Sequence, residues 1–510
     1  MVSQRNVTDA LSRIHKIVEK RGGIHVLHTS EISRSDRELL VRHDWLEEII
    51  RGWYFLVRPD ALPGDSSAWY ASFWDFLNVY LSYHHGTEYC LSAECSLDLH
   101  LGNYIIPKQV IVIARRGSGI TVPLPFDTSI LVYADPKRLP EERITLSGLQ
   151  TMSLPYALCK VTPTFFHSSP QDAEIALQSI RHPSELIRVI VEHNFQRAAG
   201  RLIGAYRFVG NKKMVDQLSK EIAKAGIRIQ ETNPFKHQVP LLTGSHYLSP
   251  HSSRILAMWK AFRPFVLDHF PKRPAVSMDP ERYLQHVTEL YPQDAYHSLS
   301  IEGYHVNKQL IEKVENNHWN PDFDPEDQQL RDALAARGYF EAFHEVKQSV
   351  TKILKGSLPG QIVEDDLTQW YQKLFSPSVR AKLLRETDLL GYRRSQVYIR
   401  YSRHTPLAKE YVCEAMDTLF QCLKDEEDAG VRALLGHFIF VFIHPYIDGN
   451  GRIGRFLMNT MLASGGYPWT IIHVEERARY FSALETASVD HDILPFVQFI
   501  AAAMKRSDKE

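Results

Sequence analysis

The sequence predicts a multidomain protein: an N-terminal winged helix-turn-helix, an α/β module, and a C-terminal all-α domain that carries a β-hairpin flap. Three observations lead to this fold class. The chain of 510 residues is longer than a single hydrophobic core usually supports. Clear strand-like runs cluster within the first 160 residues. Beyond residue 240, nearly every segment carries apolar residues at helical spacing.

The domain limits follow from these patterns and from one linker. We assign residues 1–60 to the winged helix, 61–235 to the α/β module, 245–345 to a helical region and 346–505 to a helical core. The stretch 231–240 contains two prolines and lacks a helical period, so we place the main linker there.

The first domain reads as helix, short helix, helix and strand. An amphipathic helix is predicted over 7–21 with Asn6 as its cap, and a further helix over about 35–50. The run 53–57 is aromatic and branched, which is typical of a strand. In the α/β module, the clearest strands are predicted at 109–114 and 128–134.

Composition excludes several classes of protein. The 59 basic and 60 acidic residues nearly cancel, so the chain has no global basic field for nucleic acid. No segment reaches the roughly 18 apolar residues of a membrane-spanning helix, and the N-terminus lacks an apolar signal core. The five cysteines are scattered and odd in number, which favours a reducing compartment. We therefore expect a cytoplasmic protein with no membrane partner.

The most informative string is H-P-Y-I-D-G-N-G-R-I-G-R, residues 444–455. The preceding stretch 433–443 is almost wholly apolar, which indicates a helix buried on all sides. Apolar residues recur at helical spacing after the string. The string is therefore predicted to be a polar loop between two core helices.

This loop has the composition of an anion-binding site. Gly449, Asn450 and Gly451 let backbone N–H groups converge at the start of the second helix, whose dipole attracts negative charge. Arg452 and Arg455 add two permanent cations on the first helical turn. We expect these five residues to bind the phosphates of a nucleotide.

Two more residues of the loop suggest chemistry. Asp448 is an acid among cations, as expected for a ligand of Mg²⁺ that bridges phosphates. His444 has an ordinary pKa near 6.5 and is mostly neutral at pH 7, so it can accept a hydroxyl proton.

The string resembles the signature of the Fic family, H-x-F-x-D/E-G-N-G-R-x-x-R, with Tyr446 in place of the usual phenylalanine. The resemblance spans roughly 250–500. It implies that His444 deprotonates a Ser, Thr or Tyr hydroxyl of a target protein, which then attacks the α-phosphorus of ATP. Asp448 would hold Mg²⁺ or Mn²⁺, while Arg452 and Arg455 would bind the β- and γ-phosphates.

Other features of the resemblance concern the orientation of the nucleotide and the contacts with adenine and with the target protein. Doc-type relatives, which phosphorylate, carry lysine where this chain has Gly451, so glycine favours AMP transfer. Tyr480 matches a position near the adenine in relatives, although a core aromatic fits as well. Residues 391–406 resemble the family's flap hairpin, in which Val397 and Ile399 would align a target segment by main-chain pairing. Many relatives are homodimers.

A second string, S-L-S-I-E-G, resembles the inhibitory motif of the same family. Ser298 and Glu302 lie four residues apart on one helical face, and Gly303 can end that helix. The resemblance implies that Glu302 pairs with Arg455 and occupies the position of the γ-phosphate. In some relatives the same glutamate aligns water to remove AMP, so the reverse reaction stays open.

The N-terminal half resembles the AbiEi family of antitoxin-type regulators over roughly 7–240. The matching stretches are 51–57, 89–100 and 106–113. A winged helix of this kind would bind DNA through Arg34, Arg37 and Arg42, but acids share that segment, and a solvated face is an open alternative.

The sequence thus predicts an autoinhibited protein adenylyltransferase that uses ATP and is associated with DNA through its first domain. Its target would then be a DNA-associated protein. Two alternatives stay open. One is a DNA-binding or toxin–antitoxin-like regulator in which the helical core only senses nucleotide. The other is transfer of a different nucleotide or of phosphocholine. A loose cluster of His84, His85, Cys90 and Cys95 lacks the spacing of a metal site.

Overall fold

The computed structural model describes residues 2–507 apart from 22, 58–65, 104, 237, 243–247, 275–278 and 316–330. The chain divides into two compact units. Unit 1 comprises residues 1–250 and 398–405, and unit 2 comprises 251–397 and 406–510. The division falls just beyond the predicted linker at 231–240. In the described part of the chain, no helix is both long and apolar enough to span a bilayer.

Unit 1 begins with two helices and a small antiparallel sheet. Its elements are α1 (Val2–Lys20), β1 (Val26–His28), α2 (Arg34–Arg42), β2 (Leu46–Ile50) and β3 (Trp53–Leu56), and β3 lies between β1 and β2 in the sheet. The strand predicted at 53–57 is confirmed. The winged-helix identity of this part stays a prediction.

Three details of the helix predictions in this part are wrong. The short helix predicted between the other two is absent, because Val26–His28 form β1 and residues 29–31 form a turn. Asn6 lies inside α1 and does not cap it. The second helix ends at Arg42, because Asp44 takes a positive φ of 55° and the following residues form a strand. Leu46 pairs with Leu56 across the sheet, so pairing with β3 overrides the helical propensity of the two glutamates in β2.

The α/β part of unit 1 contains a four-stranded sheet with the order β4-β5-β7-β6, in which β5 and β7 are parallel. The strands predicted at 109–114 and 128–134 are confirmed as β5 and β7. In chain order the elements are α3 (Ser67–His85), β4 (Tyr89–Leu91), α4 (Ala93–His100), β5 (Val110–Ala114), β6 (Thr121–Leu124), β7 (Thr128–Ala134), β8 (Ile144–Leu146), β9 (Leu149–Thr151), α5 (Leu154–Lys160), α6 (Phe165–Ser168), α7 (Pro170–Ser179), α8 (Pro183–Glu192), α9 (Gln196–Phe208) and α10 (Lys212–Lys224).

The described residues of unit 2 form helices joined by loops and contain no strand, which confirms the all-α prediction for this half. Three short 3₁₀ turns, Glu386–Leu389, Lys409–Tyr411 and Val474–Glu476, interrupt the helices. The helices are α11 (Pro250–His269), α12 (Pro280–Ile301), α13 (Lys308–Glu315), α14 (Arg331–Leu354), α15 (Pro359–Arg380), α16 (Val412–Asp425), α17 (Ala429–Ile443), α18 (Asn450–Ser464), α19 (Arg477–Val489) and α20 (Leu494–Ser507).

The predicted β-hairpin flap is absent: residues 391–406 are all described, and none of them forms a strand. Their backbone groups are used elsewhere. Arg393 N donates to Pro445 O at 2.9 Å, and Ser402 N donates to Ile399 O at 3.1 Å. Val397 and Ile399 are partly buried, so their alternation reflects local burial without strand pairing.

Candidate active site

The loop between α17 and α18 is held in a compact shape by its own backbone. His444 ends α17 in the left-handed region, with φ 54°, and Gly449 precedes α18 with φ 85°. The buried Asn450 amide donates to Tyr446 O at 2.8 Å and accepts from Tyr446 N at 2.9 Å. These two bonds hold Tyr446 and Asn450 together and fix the shape of the loop.

His444 presents the ring nitrogen that a proton acceptor needs. Its Nδ1 lies 3.2 Å from Val441 O, which can only accept, so Nδ1 carries the proton and the lone pair is on Nε2. Burial lowers the pKa of His444 to about 4, although Glu302 and Asp448 act in the opposite direction. The imidazole is therefore neutral at physiological pH.

Arg393 is a site residue that sequence reasoning missed. Its guanidinium is 5% exposed and Nε donates to His444 O at 2.9 Å, while Nη2 donates to Leu407 O. Together with the bond from its backbone N–H to Pro445 O, these contacts fix the start of the loop between α17 and α18. The residue stands in a run of basic and polar residues, where nothing distinguishes it from a surface arginine.

The cationic part of the site is buried. Arg452 is 1% exposed, and its guanidinium lies between the rings of Tyr304 and Phe375, 5.1 and 5.2 Å from their centroids. Arg455 is 4% exposed. Among the described residues, Nε of Arg452 and Nη1 of Arg455 have no hydrogen-bond partner. Buried donors without partners are costly unless an anion binds them, so they fit a phosphate group.

The first turn of α18 adds backbone donors to these side chains. In this turn, Ile453 N donates to Gly449 O at 3.0 Å. The N–H groups of Asn450, Gly451 and Arg452 precede it and have no acceptor within the helix, by helix geometry. The N-terminus of α18 and the two guanidiniums thus offer unpaired N–H donors of the kind that bind an anion.

Asp448 supplies a carboxylate at the edge of this cradle. Its side chain is 56% exposed, and its Oδ2 lies 3.1 Å from Arg452 Nη2. Oδ1 accepts from Gly449 N at 2.6 Å. An exposed carboxylate at the edge of a cradle that suits phosphates also suits a hard cation such as Mg²⁺, which prefers oxygen ligands and shares them with phosphates.

The inhibitory string lies against the same cradle. Glu302 caps the C-terminus of α12, and its Oε1 accepts from Arg455 Nη2 at 2.7 Å. Ser298 accepts from Arg455 twice, through Oγ from Nε at 2.8 Å and through its carbonyl from Nη2 at 3.0 Å. Burial lowers the pKa of Arg455, but the attraction of Glu302 acts in the opposite direction, and the pKa is raised overall. Arg455 therefore stays a cation beside the Glu302 carboxylate.

Two glycines allow Glu302 to lie close to Arg455. Gly303 takes φ 85° directly after Glu302 and ends the helix. A Cβ on Gly451 would lie 2.2 Å from Oε1 of Glu302. The absence of a side chain at position 451 therefore makes room for the glutamate.

Arg477, at the start of α19, is a second residue that sequence reasoning missed. Its Nε donates to Ile301 O, at the end of α12, at 2.6 Å, and its guanidinium lies 4.7 Å from the centroid of the Phe481 ring. A cation at a helix C-terminus satisfies a terminal carbonyl and complements the dipole. Arg477 therefore stabilises the turn that presents Glu302.

We expect Arg477→Ala to raise auto-labelling by ATP about two- to fivefold, because a lost helix cap shifts an equilibrium by roughly 0.5–1 kcal/mol. Labelling of the full chain with ATP carrying a labelled α-phosphate measures this effect. Arg479→Ala is the matched control, since it removes an exposed arginine from the same helix without touching α12. Equal labelling of the two variants would show that the cap does not restrain Glu302.

Tyr480 lies in the core. It is 1% exposed, and its hydroxyl lies 2.7 Å from His437 Nε2. This burial fits the alternative of a core aromatic, and the contact with adenine stays a prediction. The neighbouring Phe481 is 36% exposed, so its ring, unlike that of Tyr480, is accessible at the surface.

The predicted DNA-binding arginines lie on or beside α2. Arg34 is exposed but pairs with Glu38 at 2.7 Å, and Arg37 lies 5.9 Å from the ring of Tyr54. Arg42 is in the last turn. The charge of this helix is therefore partly neutralised within the domain.

The low pKa of His444 predicts a flat rate between pH 7.5 and pH 5.5. A base is active in its neutral form, so the rate falls only as the pH drops towards the pKa of about 4. With an ordinary pKa near 6.5, the neutral fraction would fall about tenfold over the same interval. The initial rate of auto-labelling by Glu302→Gly, at saturating ATP and metal, measures the profile. A tenfold fall would contradict the buried environment of the ring.

Comparisons with known proteins place this loop in a family context. Residues 361–462 match the model of the Fic/DOC family. The protein adenylyltransferase fic-1 of Caenorhabditis elegans is 38% identical over 113 residues, which cover 21% of this chain and 22% of that protein. The protein adenylyltransferase Fic of Drosophila ananassae is 38% identical over 120 residues, or 23% and 24% of the two chains. The match thus spans less than a quarter of these relatives.

Solved structures give a wider but weaker likeness. Fic-1 (residues 134–508) from C. elegans is 19% identical, with a TM-score of 0.38, over 67% of this chain and 93% of that one. A Fic domain containing signalling protein from Bacteroides thetaiotaomicron is 18% identical, with a TM-score of 0.36, over 50% and 93%. The segment 361–462, which holds the loop between α17 and α18, matches the Fic/DOC family, and curated relatives of this chain are named protein adenylyltransferases.

Proposed function

We propose that this protein is an adenylyltransferase that transfers AMP from ATP to a Ser, Thr or Tyr hydroxyl of a target protein, and that Glu302 restrains it. One observation carries the proposal. A neutral histidine with its lone pair on Nε2 lies at the start of the loop, and two buried guanidiniums with unpaired N–H donors lie on the helix that follows it. A proton acceptor beside a polyphosphate site is what nucleotidyl transfer needs. The family of the matching segment supports the same conclusion.

In the proposed reaction, Nε2 of His444 takes the proton of the target hydroxyl. The hydroxyl oxygen forms a bond to the α-phosphorus, the bond from that phosphorus to the bridging oxygen breaks, and diphosphate leaves. Arg452, Arg455 and the N–H groups of α18 stabilise the charge that develops on the phosphates. Asp448 would hold Mg²⁺ or Mn²⁺, which neutralises phosphate charge when bound.

The proposed restraint is competition for Arg455. With Glu302 in place, the carboxylate takes the guanidinium that the γ-phosphate would bind. ATP would then bind in a pose whose α-phosphate is not aligned with the acceptor. Release of α12 would free Arg455 and permit transfer.

A labelling experiment separates this function from its alternatives. The full chain and its Glu302→Gly variant are incubated with a lysate and with ATP labelled on either the α- or the γ-phosphate. We expect label in protein from the α-phosphate only. Label from the γ-phosphate would indicate phosphorylation, and binding without any labelling would favour a nucleotide sensor. Transfer from CTP, UTP or CDP-choline in place of ATP would indicate a different group. Loss of label from purified AMP-protein would reveal the reverse reaction.

Association with DNA is a separate proposal for residues 1–60, and the order of elements in unit 1 supports it. An AbiEi-like regulator would place α2 at the DNA and direct the enzyme to DNA-associated targets. Because Arg34 pairs with Glu38, we expect only weak binding, strongly dependent on salt. Fluorescence anisotropy with duplex DNA at two salt concentrations tests it, and size-exclusion chromatography with light scattering tests the proposed homodimer.

A further inference from the structure

Unit 1 contains an open cavity that the transfer reaction proposed above does not use. The cavity has a volume of about 330 Å³ and is formed by the start of α3, the turn that joins β6 to β7, and the segment 398–405. All three belong to unit 1. Its lining includes the aromatic and charged side chains of Tyr70, Lys108, Phe126, Asp127, Tyr401 and Arg403.

Hydrogen bonds fix the wall that the segment 398–405 contributes to this cavity. Ile106 N donates to Arg403 O at 2.9 Å, and Arg403 Nε donates in return to Ile106 O at 2.9 Å. Ile106 is fully buried and lies shortly before β5 in the chain. Because the two residues are bonded in both directions, the fold of unit 1 sets the position of Tyr401 and Arg403 at the cavity.

Three of the lining residues have an unusual backbone conformation. Phe126, Asp127 and Tyr401 have φ values of 53°, 56° and 62°. Phe126 and Asp127 are the two central residues of the turn between β6 and β7, in which Thr128 N donates to Pro125 O at 3.3 Å. Turns with positive φ at both central positions usually carry Asn or Gly, and a bulky aromatic residue there is strained. Because such strain collects at binding and catalytic sites, it indicates that the Phe126 side chain serves a purpose other than folding.

The side chains around the cavity offer aromatic surface and separate charges. Phe126 and Tyr401 are 38% and 54% exposed, and the centroid of the Phe126 ring lies 6.0 Å from that of Tyr70. Lys108 and Asp127 are also exposed, and neither forms an ion pair with another described residue. A ring that enters the cavity would therefore meet two aromatic faces, with a cation and a carboxylate available to its polar neighbours.

We propose that this cavity binds an acidic segment of a partner protein in which a tyrosine stands next to glutamates. The tyrosine ring would lie against Phe126 and Tyr401. Its hydroxyl would donate to Asp127, and a neighbouring carboxylate would pair with Lys108. The two cations Lys108 and Arg403 outnumber the one acid of the lining, which favours an acidic segment over a basic one.

The shape of the cavity favours a protein over a free small molecule as its ligand. Four of the lining residues are exposed, so the cavity is shallow, whereas a small-molecule site buries most of its ligand. An aromatic side chain seated in a pocket is a typical anchor of a protein interface. That the partner is a substrate of AMP transfer rests on the proposed function, whereas the binding itself does not.

Binding is tested with the full chain and a fluorescein-labelled peptide, E-E-Y-E-E. We expect saturable binding by fluorescence anisotropy, and an affinity about tenfold lower for Phe126→Asn and for Lys108→Glu. Ile120→Asn is the matched control, since it removes an exposed apolar side chain just before β6 and should bind as wild type does. The basic peptide K-K-Y-K-K should bind at least tenfold more weakly than the acidic one.

Thermal unfolding separates a binding role of Phe126 from a structural one. Asparagine adopts a positive φ readily, so we expect Phe126→Asn to unfold at the same temperature as wild type or higher, although it loses the peptide. A lower unfolding temperature would mean that the ring serves the fold and would overturn the proposal. Absence of saturable binding, unchanged binding by Lys108→Glu, or an equal loss in Ile120→Asn would overturn it too. Binding of labelled AMP that Phe126→Asn abolishes would instead assign the cavity to a nucleotide.

The link to AMP transfer is tested in the Glu302→Gly background, with a lysate and ATP labelled on the α-phosphate. We expect Phe126→Asn to lower the labelling of lysate proteins severalfold and to leave auto-labelling unchanged, because the loop between α17 and α18 is not altered. Unchanged labelling of lysate proteins would overturn the assignment of the partner as a substrate. If Glu302→Gly labelled no protein at all, the proposed function would fail, and the peptide titration would still decide the cavity.

Discussion

Glu302→Gly is expected to raise auto-labelling by ATP about a hundredfold. The carboxylate is 24% exposed and pairs at 2.7 Å with a guanidinium that is almost wholly buried. Breaking such a pair shifts an equilibrium by roughly 3 kcal/mol or more, and 3 kcal/mol corresponds to a factor of about one hundred. Without the carboxylate, Arg455 is free for the γ-phosphate, and glycine leaves the space beside Gly451 empty.

Two further variants separate charge from shape at this position. Glu302→Gln keeps the size of the side chain but loses its charge, so we expect a rise between wild type and Glu302→Gly. Ser298→Ala removes one acceptor of Arg455 and leaves the ion pair, so the rise should be a few-fold at most. Equal labelling of wild type and Glu302→Gly would show that the pair does not restrain transfer. A larger rise for Ser298→Ala than for Glu302→Gly would assign the restraint to the serine.

The chemistry of this site was readable from the sequence because it is local. His444 to Arg455 are contiguous, and the apolar helix before them places the loop in the core whatever the rest of the chain does. The pairing of Glu302 with Arg455 joins residues far apart in the chain. It was predicted from resemblance alone, and the structure places the two side chains in contact.

The residues that support this site could not be predicted in the same way. Arg393 and Arg477 act through hydrogen bonds to backbone carbonyls of distant segments, and no spacing in the sequence marks such bonds. The flap prediction is wrong because alternation at Val397 and Ile399 reports burial, whereas a strand also needs a partner. The predicted end of the helix over 35–50 is wrong for a related reason, since only the pairing of β2 with β3 shows that the helix ends at Arg42.

His444→Ala, made in the Glu302→Gly background, is expected to reduce AMP transfer about a thousandfold or more while ATP binding is retained. The ring supplies the proton acceptor, and removal of such a base typically lowers the rate by a factor of roughly 10²–10⁴. The ring makes no contact that phosphate binding needs.

Arg455→Ala should instead weaken ATP binding, severalfold or more, because it removes a buried cation. Calorimetric titration with ATP measures binding, and α-phosphate label measures transfer. Thermal unfolding checks that the variants are folded. If His444→Ala transferred AMP at an undiminished rate, the base would have to be another group, and the loop would serve only to hold the nucleotide.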